Sequence, residues 1–293
     1  MITEITAKTI LNHVKQPDPW FGLKYNMNLY RGCQHQCIYC DSRSTCYQIE
    51  NFADIQVKAN AIDLLADALP RKRVRGTIGT GSMNDPYMPV ERKYNLTGRA
   101  LVVMAENQFP VHVLTKSDLV LRDIDILKAI NKVYAAVSFT ITTADDQLAK
   151  KLEPGASSPS ARFKAMKCLS DAGILTGVLM MPILPFLEDT PENITRLVEQ
   201  AHNHGAAYII PSFGMTLRSG SRDYYYAKLD QHFPSLKERY IQQYGFDYGC
   251  YAPNSKNLDL IFRELCSRYR ITTRIPIFRP EKVRKLSKQM KLF

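Results

Sequence analysis

The chain has no apolar run long enough to cross a bilayer. Its longest, Gly177-Val-Leu-Met-Met-Pro-Ile-Leu-Pro-Phe-Leu187, stops well short of a span and carries two prolines. It reads as a buried strand with its exit loop, so no transmembrane segment and no membrane partner is expected. No secretory signal is visible, and an odd total of seven cysteines argues against a disulfide framework. A reducing, cytoplasmic setting is the expectation. Linkers, repeats and low-complexity tracts are missing between Asn28 and Pro211, which leaves no internal domain boundary there. Disorder is excluded as well, because 45% of the residues are hydrophobic and 293 residues can bury a large core.

What the chain does have is one tight group of thiols. Cys33, Cys37 and Cys40 stand in the arrangement Cys-x3-Cys-x2-Cys with an aromatic, Tyr39, before the last. Three thiolates so close can hold three corners of an iron-sulfur cube and leave the remaining iron open to a small molecule. A structural zinc site is the alternative. It needs a fourth ligand, for which Cys46 or His35 could stand, but zinc sites usually use paired short-spaced units and only one such pair exists. Cys168, Cys250 and Cys266 are scattered, and buried apolar packing is their default.

Short β-rich apolar runs alternate with amphipathic helical ones, the mark of repeated βα units and a parallel sheet. Strands are predicted over Tyr25 to Tyr30, Gly76 to Thr80, Pro110 to Thr115, Ala135 to Thr140, Leu175 to Met181 and Ala207 to Pro211. Helices are predicted over Ala59 to Leu69, Leu96 to Asn107, Ile124 to Lys132, Pro159 to Ala172 and Pro191 to His204. Gly173 and Gly205 sit where a left-handed C-terminal cap wants glycine, and Pro159 and Pro191 lie near first-turn positions.

The cysteine motif resembles the signature of the radical S-adenosylmethionine (radical SAM) enzymes, Cys-x3-Cys-x-aromatic-Cys, at every required position. The surrounding Asn28-Leu-Tyr-Arg-Gly-Cys-Gln-His-Gln-Cys-Ile-Tyr-Cys-Asp41 is similar to the spore photoproduct lyase-like branch, often labelled DNA repair photolyases. The likeness extends to Pro17-Asp-Pro-Trp-Phe21, Asn84-Asp-Pro-Tyr87 and Lys151-Leu-Glu-Pro154 followed by Arg162. It implies an α/β fold: a partial (β/α)6 TIM-type barrel with a C-terminal extension. Residues 1–24 would form an N-terminal extension, 25–212 the barrel core and 213–293 the cap and basic tail.

The resemblance further implies a [4Fe-4S] cluster on Cys33, Cys37 and Cys40, with S-adenosylmethionine chelating the open iron. One-electron reduction would then release a 5'-deoxyadenosyl radical that takes hydrogen from a substrate. A low-potential donor such as flavodoxin or ferredoxin would supply the electron. Tyr39 would lie against the adenine. Thr80, Gly81 and Ser82, in the segment from Gly79, would meet the methionyl amino group, although a tight turn without ligand also needs glycine. Ser138 and Thr140, alternating on one strand face, would serve the ribose or be satisfied by neighbouring backbone. Arg162 would grip the methionyl carboxylate or sit in a surface salt bridge. Arg31 and His35 would tune the cluster's charge or serve as scaffold, and Glu153 would shape its loop.

One departure concerns substrate. Spore photoproduct lyase carries a hydrogen-donating cysteine after the second strand, where Thr80 to Asp85 here reads Thr-Gly-Ser-Met-Asn-Asp without a thiol. Tyr87 is a candidate replacement. The net charge is +11, and Arg268 to Phe293 carries nine Lys or Arg against one Glu, so +8 lies in this tail. With the cluster Arg71-Lys-Arg-Val-Arg75, this fits contact with phosphates, hence a DNA or RNA substrate. It equally fits a solvated helix closing the barrel through Val283, Leu286 and Met290. Phe213 to Tyr251, rich in tyrosine and including Tyr224-Tyr-Tyr226, would cap the mouth, with Arg218 and Arg222 as anion contacts. Modified or damaged nucleic acid leads as substrate; a peptide or small metabolite is second, and a zinc-stabilised nucleic-acid-binding protein is the non-enzymatic alternative.

Overall fold

The computed structural model describes residues 1–16, 20–49 and 51–279. The strands are β1 (Ile2–Ile5), β2 (Leu11–His13), β3 (Tyr25–Met27), β4 (Tyr30–Arg31), β5 (Ile55–Lys58), β6 (Ile78–Thr80), β7 (Val111–Thr115), β8 (Ala135–Thr140), β9 (Leu175–Met180), β10 (Tyr208–Pro211), β11 (Gly214–Thr216) and β12 (Gly249–Tyr251). The helices are α1 (Ala61–Ala68), α2 (Glu91–Tyr94), α3 (Leu96–Glu106), α4 (Ile124–Asn131), α5 (Asp146–Leu152), α6 (Pro159–Asp171), α7 (Pro191–Asn203), α8 (Ser221–His232), α9 (Leu236–Tyr244) and α10 (Ser255–Tyr269).

The main sheet runs β10-β9-β8-β7-β6-β3-β2. All its pairings are parallel except that of β2 with β3. The six parallel strands are those predicted, and they form the partial (β/α)6 barrel. The central ones are buried on both faces, as a sheet covered by helices outside and side chains inside requires. All six residues of β8 are buried, and each buried Val, Phe or Leu side chain stabilises by about 1.5–3 kcal/mol.

Helix ends follow local chemistry. Ser158 accepts from Ala161 N ahead of Pro159, and Thr190 accepts from Asn193 N ahead of Pro191, so each cap uses a hydroxyl and a first-turn proline. Gly173 and Gly205 follow α6 and α7 with φ of +79° and +80°.

The predicted first strand breaks in two. After Met27 the chain leaves the barrel, and Tyr30 and Arg31 pair instead with Val57 and Gln56 in a small sheet ordered β1-β5-β4. Lys58 fixes that departure, because its Nζ donates to Asn28 O at 2.6 Å. The second strand is shorter than expected, since Thr77 O is taken by the backbone N–H groups of Lys24 and Tyr25.

Beyond β10 the chain crosses the mouth as a β11–β12 hairpin with α8 and α9, and then α10 packs on α7. In α10, Leu258, Phe262, Leu265 and Cys266 make the buried stripe. Past that helix, Thr272 O accepts from Ile209 N at 2.9 Å and Ile275 enters the barrel interior, covering the β10 edge. The helix expected around Val283, Leu286 and Met290, and the Pro17 to Pro19 segment, lie outside the described residues. No helix among the described residues is long and apolar enough to cross a membrane.

Candidate active site

A cavity of about 490 Å³ opens at the carboxyl ends of the parallel strands, between the barrel and the β11–β12 hairpin. Cys33, Cys37, Cys40 and Tyr39 line it. So do Gly81 and Ser82 after β6, Lys116 after β7, and Thr140 at the end of β8. The loops that follow barrel strands converge on that mouth, which is why residues far apart in sequence meet there.

The thiol loop is tied from several sides. Cys33 N donates to Phe52 O (3.2 Å), Ile38 N to Leu152 O (2.9 Å) and Gly155 N to His35 O (2.9 Å). Gln34 accepts from Val90 N at 2.6 Å. His35 Nδ1 meets Gly155 O at 2.8 Å, and its Nε2 lies 3.2 Å from Asp85 Oδ2. Asp85 in turn accepts from Thr115 Oγ1 (2.7 Å), Lys116 N (2.6 Å) and Tyr87 N (2.8 Å). Burial works to raise the Asp85 pKa, but His35 and these bonds outweigh it and hold it at about 2.

Beneath Tyr39 lies a buried charged network. The Tyr39 hydroxyl donates to Glu153, whose other oxygen stands 2.5 Å from Arg162 Nη2. Arg162 also donates to Ser157 O (2.7 Å) and Thr140 O (2.8 Å). Burial opposes ionisation of Glu153, yet Arg162 and Lys116 outweigh it and keep its pKa below the usual carboxylate value. For Lys116, burial pushes the pKa down while Cys37 and Glu153 push it up, and the net direction is up.

The three thiols are a donor set that fits a multi-iron cluster. Among the described residues no three His, Cys, Asp or Glu side chains are grouped to hold a single metal ion. Three thiols lining one cavity can each bind a different iron of a cube. Burial first, then Asp85 and Cys40, raise the Cys33 pKa to about 12, and burial likewise raises that of Cys37. Both are thiols until metal displaces the proton.

The residues nominated from sequence divide. Cys33, Cys37, Cys40, Tyr39, Gly81, Ser82 and Thr140 share the cavity; Thr80, Ser138 and Arg162 do not line it. The Thr80 side chain faces an adjoining hollow. Ser138 is spent on His112 Nε2 (2.7 Å) and Tyr208 OH (2.6 Å) inside the barrel. Arg162 is 1% exposed and committed to Glu153, so its ion pair is buried rather than superficial.

Gly81 is required where it stands: φ is +89°, and a Cβ would fall 2.3 Å from Leu114 O. Arg31 clamps Gln48 O at 2.6 Å and does not line the cavity. Tyr87 is buried with its hydroxyl on Asp123 Oδ2 (2.9 Å) and does not reach the cavity, whereas Tyr47 and Tyr251 do. Arg222 is consumed by Gly245, Leu217 and Asp247 carbonyls, and Arg218 by Tyr248 and Asp41. Tyr225 packs inside the cap against Tyr240. Cys250 and Cys266 are buried, but Cys168 is exposed.

Sequence reasoning missed Lys116 and the His35–Asp85 pair. Lys116 had a usable signal, its place directly after a barrel strand. The pairing of His35 with Asp85 joins two loops distant in the chain and had none.

A barrel with its reactive loops at the carboxyl mouth defines a class of enzymes that hold cofactor and substrate there. The family model of the Radical SAM superfamily matches residues 27–198, more than half of the chain, and the chain belongs to that superfamily. An uncharacterized protein of Mycobacterium tuberculosis is 30% identical over 261 residues, covering 86% of this chain and 75% of that one. One from Methanocaldococcus jannaschii is 36% identical over 191 residues, covering 64% and 70%. In fold the chain is similar to spore photoproduct lyase complexed with dinucleoside spore photoproduct: TM-score 0.67, 17% identity, 92% of this chain and 79% of that one. Membership makes this chain a radical SAM enzyme and sets aside the zinc-stabilised binding protein.

Proposed function

We propose that this enzyme splits S-adenosylmethionine at a [4Fe-4S] cluster on Cys33, Cys37 and Cys40 and takes hydrogen from a modified or damaged nucleic acid. The observation that carries the reading is one cavity at the strand ends lined by all three thiols together with Tyr39, Ser82, Lys116 and Thr140. The bound cluster supplies the electron that releases the 5'-deoxyadenosyl radical. The chain's residues do the rest. Tyr39, locked by Glu153, offers a flat face for the adenine. Lys116 takes the role expected of Arg162, presenting a cation to the methionyl carboxylate. The Gly81–Ser82 turn lets backbone approach the amino group, and Thr140 offers a hydroxyl to the ribose. The hairpin residues Met215 and Tyr251 roof the cavity and limit water.

Nucleic acid is supported by the basic tail, which carries +8, and by likeness in fold to a lyase bound to a dinucleoside. A flavodoxin or ferredoxin in the cytoplasm fits as electron donor. The test is anaerobic reconstitution, which should give iron and sulfide at about four each per chain, with 5'-deoxyadenosine formed under dithionite. Deuterium passing into 5'-deoxyadenosine from a labelled, lesion-bearing oligonucleotide supports the substrate class. Transfer only from labelled peptides refutes it.

A further inference from the structure

Beside the thiol cavity, and sharing Ser82, Leu114, Met181 and Ser212 with it, lies a second hollow of about 560 Å³. Among the described residues its lining has no charged group, and the one titratable side chain is His112, whose pKa burial lowers to about 4 and whose Nε2 is held by Ser138. These residues offer an occupant no counter-ion, which suits an uncharged one. Trp20 and Phe21 form an aromatic wall, with Phe21 5.0 Å from the His112 ring.

Two residues of this lining each carry a buried polar atom, Asn26 Oδ1 and Thr80 Oγ1, that has no hydrogen-bond partner, and Thr80 is only 5% exposed. The Asn26 amide is oriented by its neighbour. Ser82 Oγ gives its proton to Asn28 Oδ1 (3.4 Å) and so accepts from Asn26 Nδ2 (2.8 Å), which leaves the carbonyl oxygen in need of a donor. Each such unmatched group is destabilising unless a ligand matches it.

We propose that this hollow is the substrate site and receives a neutral planar heteroaromatic ring, a nucleobase. The ring lies against Trp20 and Phe21, donates an N–H to Asn26 Oδ1 and accepts from Thr80 Oγ1. Phosphates stay outside, since the described lining offers them no cation. The inference rests on the function proposed above, because a hollow that shares its wall with the proposed S-adenosylmethionine cavity is where an abstracting radical finds its target.

Trp20 is the only tryptophan, so its emission reports on this wall directly. Titrating the full chain with uridine should change that emission saturably. Both 3-methyluridine, which lacks the N–H, and 2-deoxyribose, which lacks the ring, should bind at least about tenfold more weakly. Thr80→Val and Asn26→Leu should each weaken uridine by about tenfold. Thr80→Val preserves the shape of a β6 residue and keeps the test intact if Asn26→Leu does not fold. No saturable response to uridine, equal affinity for 3-methyluridine, or parental affinity in Thr80→Val overturns the assignment. Iron content and S-adenosylmethionine cleavage of the same preparation separate the two readings. A chain that cleaves but ignores uridine loses only this site, whereas one that binds uridine without assembling a cluster loses only the proposed function.

Discussion

Replacing Arg162 with methionine keeps most of the side chain's volume on α6 and removes its charge. The change strips Glu153 of its closest cation at 2.5 Å and leaves Ser157 O and Thr140 O without their donors. Because Arg162 is 1% exposed, water cannot replace it. Breaking a buried pair from one side costs about 3–5 kcal/mol, most of it the stranded partner. The native carboxylate, with its lowered pKa, contributes stability above the ordinary carboxylate value that is lost as pH falls through the folded one. Without Arg162 that contribution shrinks, so the deficit is larger at pH 7 than at pH 3. Urea unfolding of the cluster-free chain, followed by circular dichroism at both pH values, measures it. Adding Glu153→Gln removes the stranded charge and should recover at least about 1 kcal/mol. A single variant within about 1 kcal/mol of the parent, or a double variant no more stable than the single, refutes the reasoning.

Cys37→Ala should abolish cluster assembly and 5'-deoxyadenosine formation while leaving the circular dichroism spectrum in place; retained turnover would count against the thiol assignment. Lys116→Met should weaken S-adenosylmethionine binding by about tenfold or more in equilibrium dialysis, and unchanged affinity would remove Lys116 from that site. Glu188 is buried, its oxygens held by Thr142 Oγ1 (2.7 Å) and Leu184 N (3.0 Å), and burial raises its pKa to about 8. The native state then keeps a proton that the unfolded chain releases, so stability falls as pH rises from about 4.5 to about 8, by at most about 1.4 kcal/mol per pH unit. Glu188→Gln should flatten that slope in urea titrations, and an unaltered slope would exclude Glu188 as its source. Truncation after Phe278 removes Arg279, Lys282, Arg284, Lys285, Lys288 and Lys291. The salt dependence of oligonucleotide binding should then shallow by about 0.9 in logarithmic slope for each phosphate that those side chains neutralise, and an unchanged slope would assign those charges elsewhere.

The barrel was legible because its strands are short apolar runs bounded by turn chemistry, and β8 matches its predicted range to the residue. The breaks came where tertiary pairing overrides local pattern. Nothing in Tyr25 to Tyr30 announces that Lys58 will hold Asn28 O and turn the chain into a second sheet. Strands as brief as β1, β2 and β11 offer too few residues for a period of two to show. At the site, the thiols and Tyr39 were readable from spacing. For Ser138 and Arg162 periodicity gives a strand or helix face without saying which partner takes the group. Ser138 meets Tyr208 from two strands away, and Arg162 meets Glu153 beneath the site rather than within it.

The thiol loop is fastened by Phe52, Leu152, Gly155, Val90 and Asp85, none of which depends on iron. Its conformational entropy is spent when the polypeptide folds, so metal loading has little ordering left to do. A cluster held there would take its position from distant parts of the chain and not from the cysteines alone.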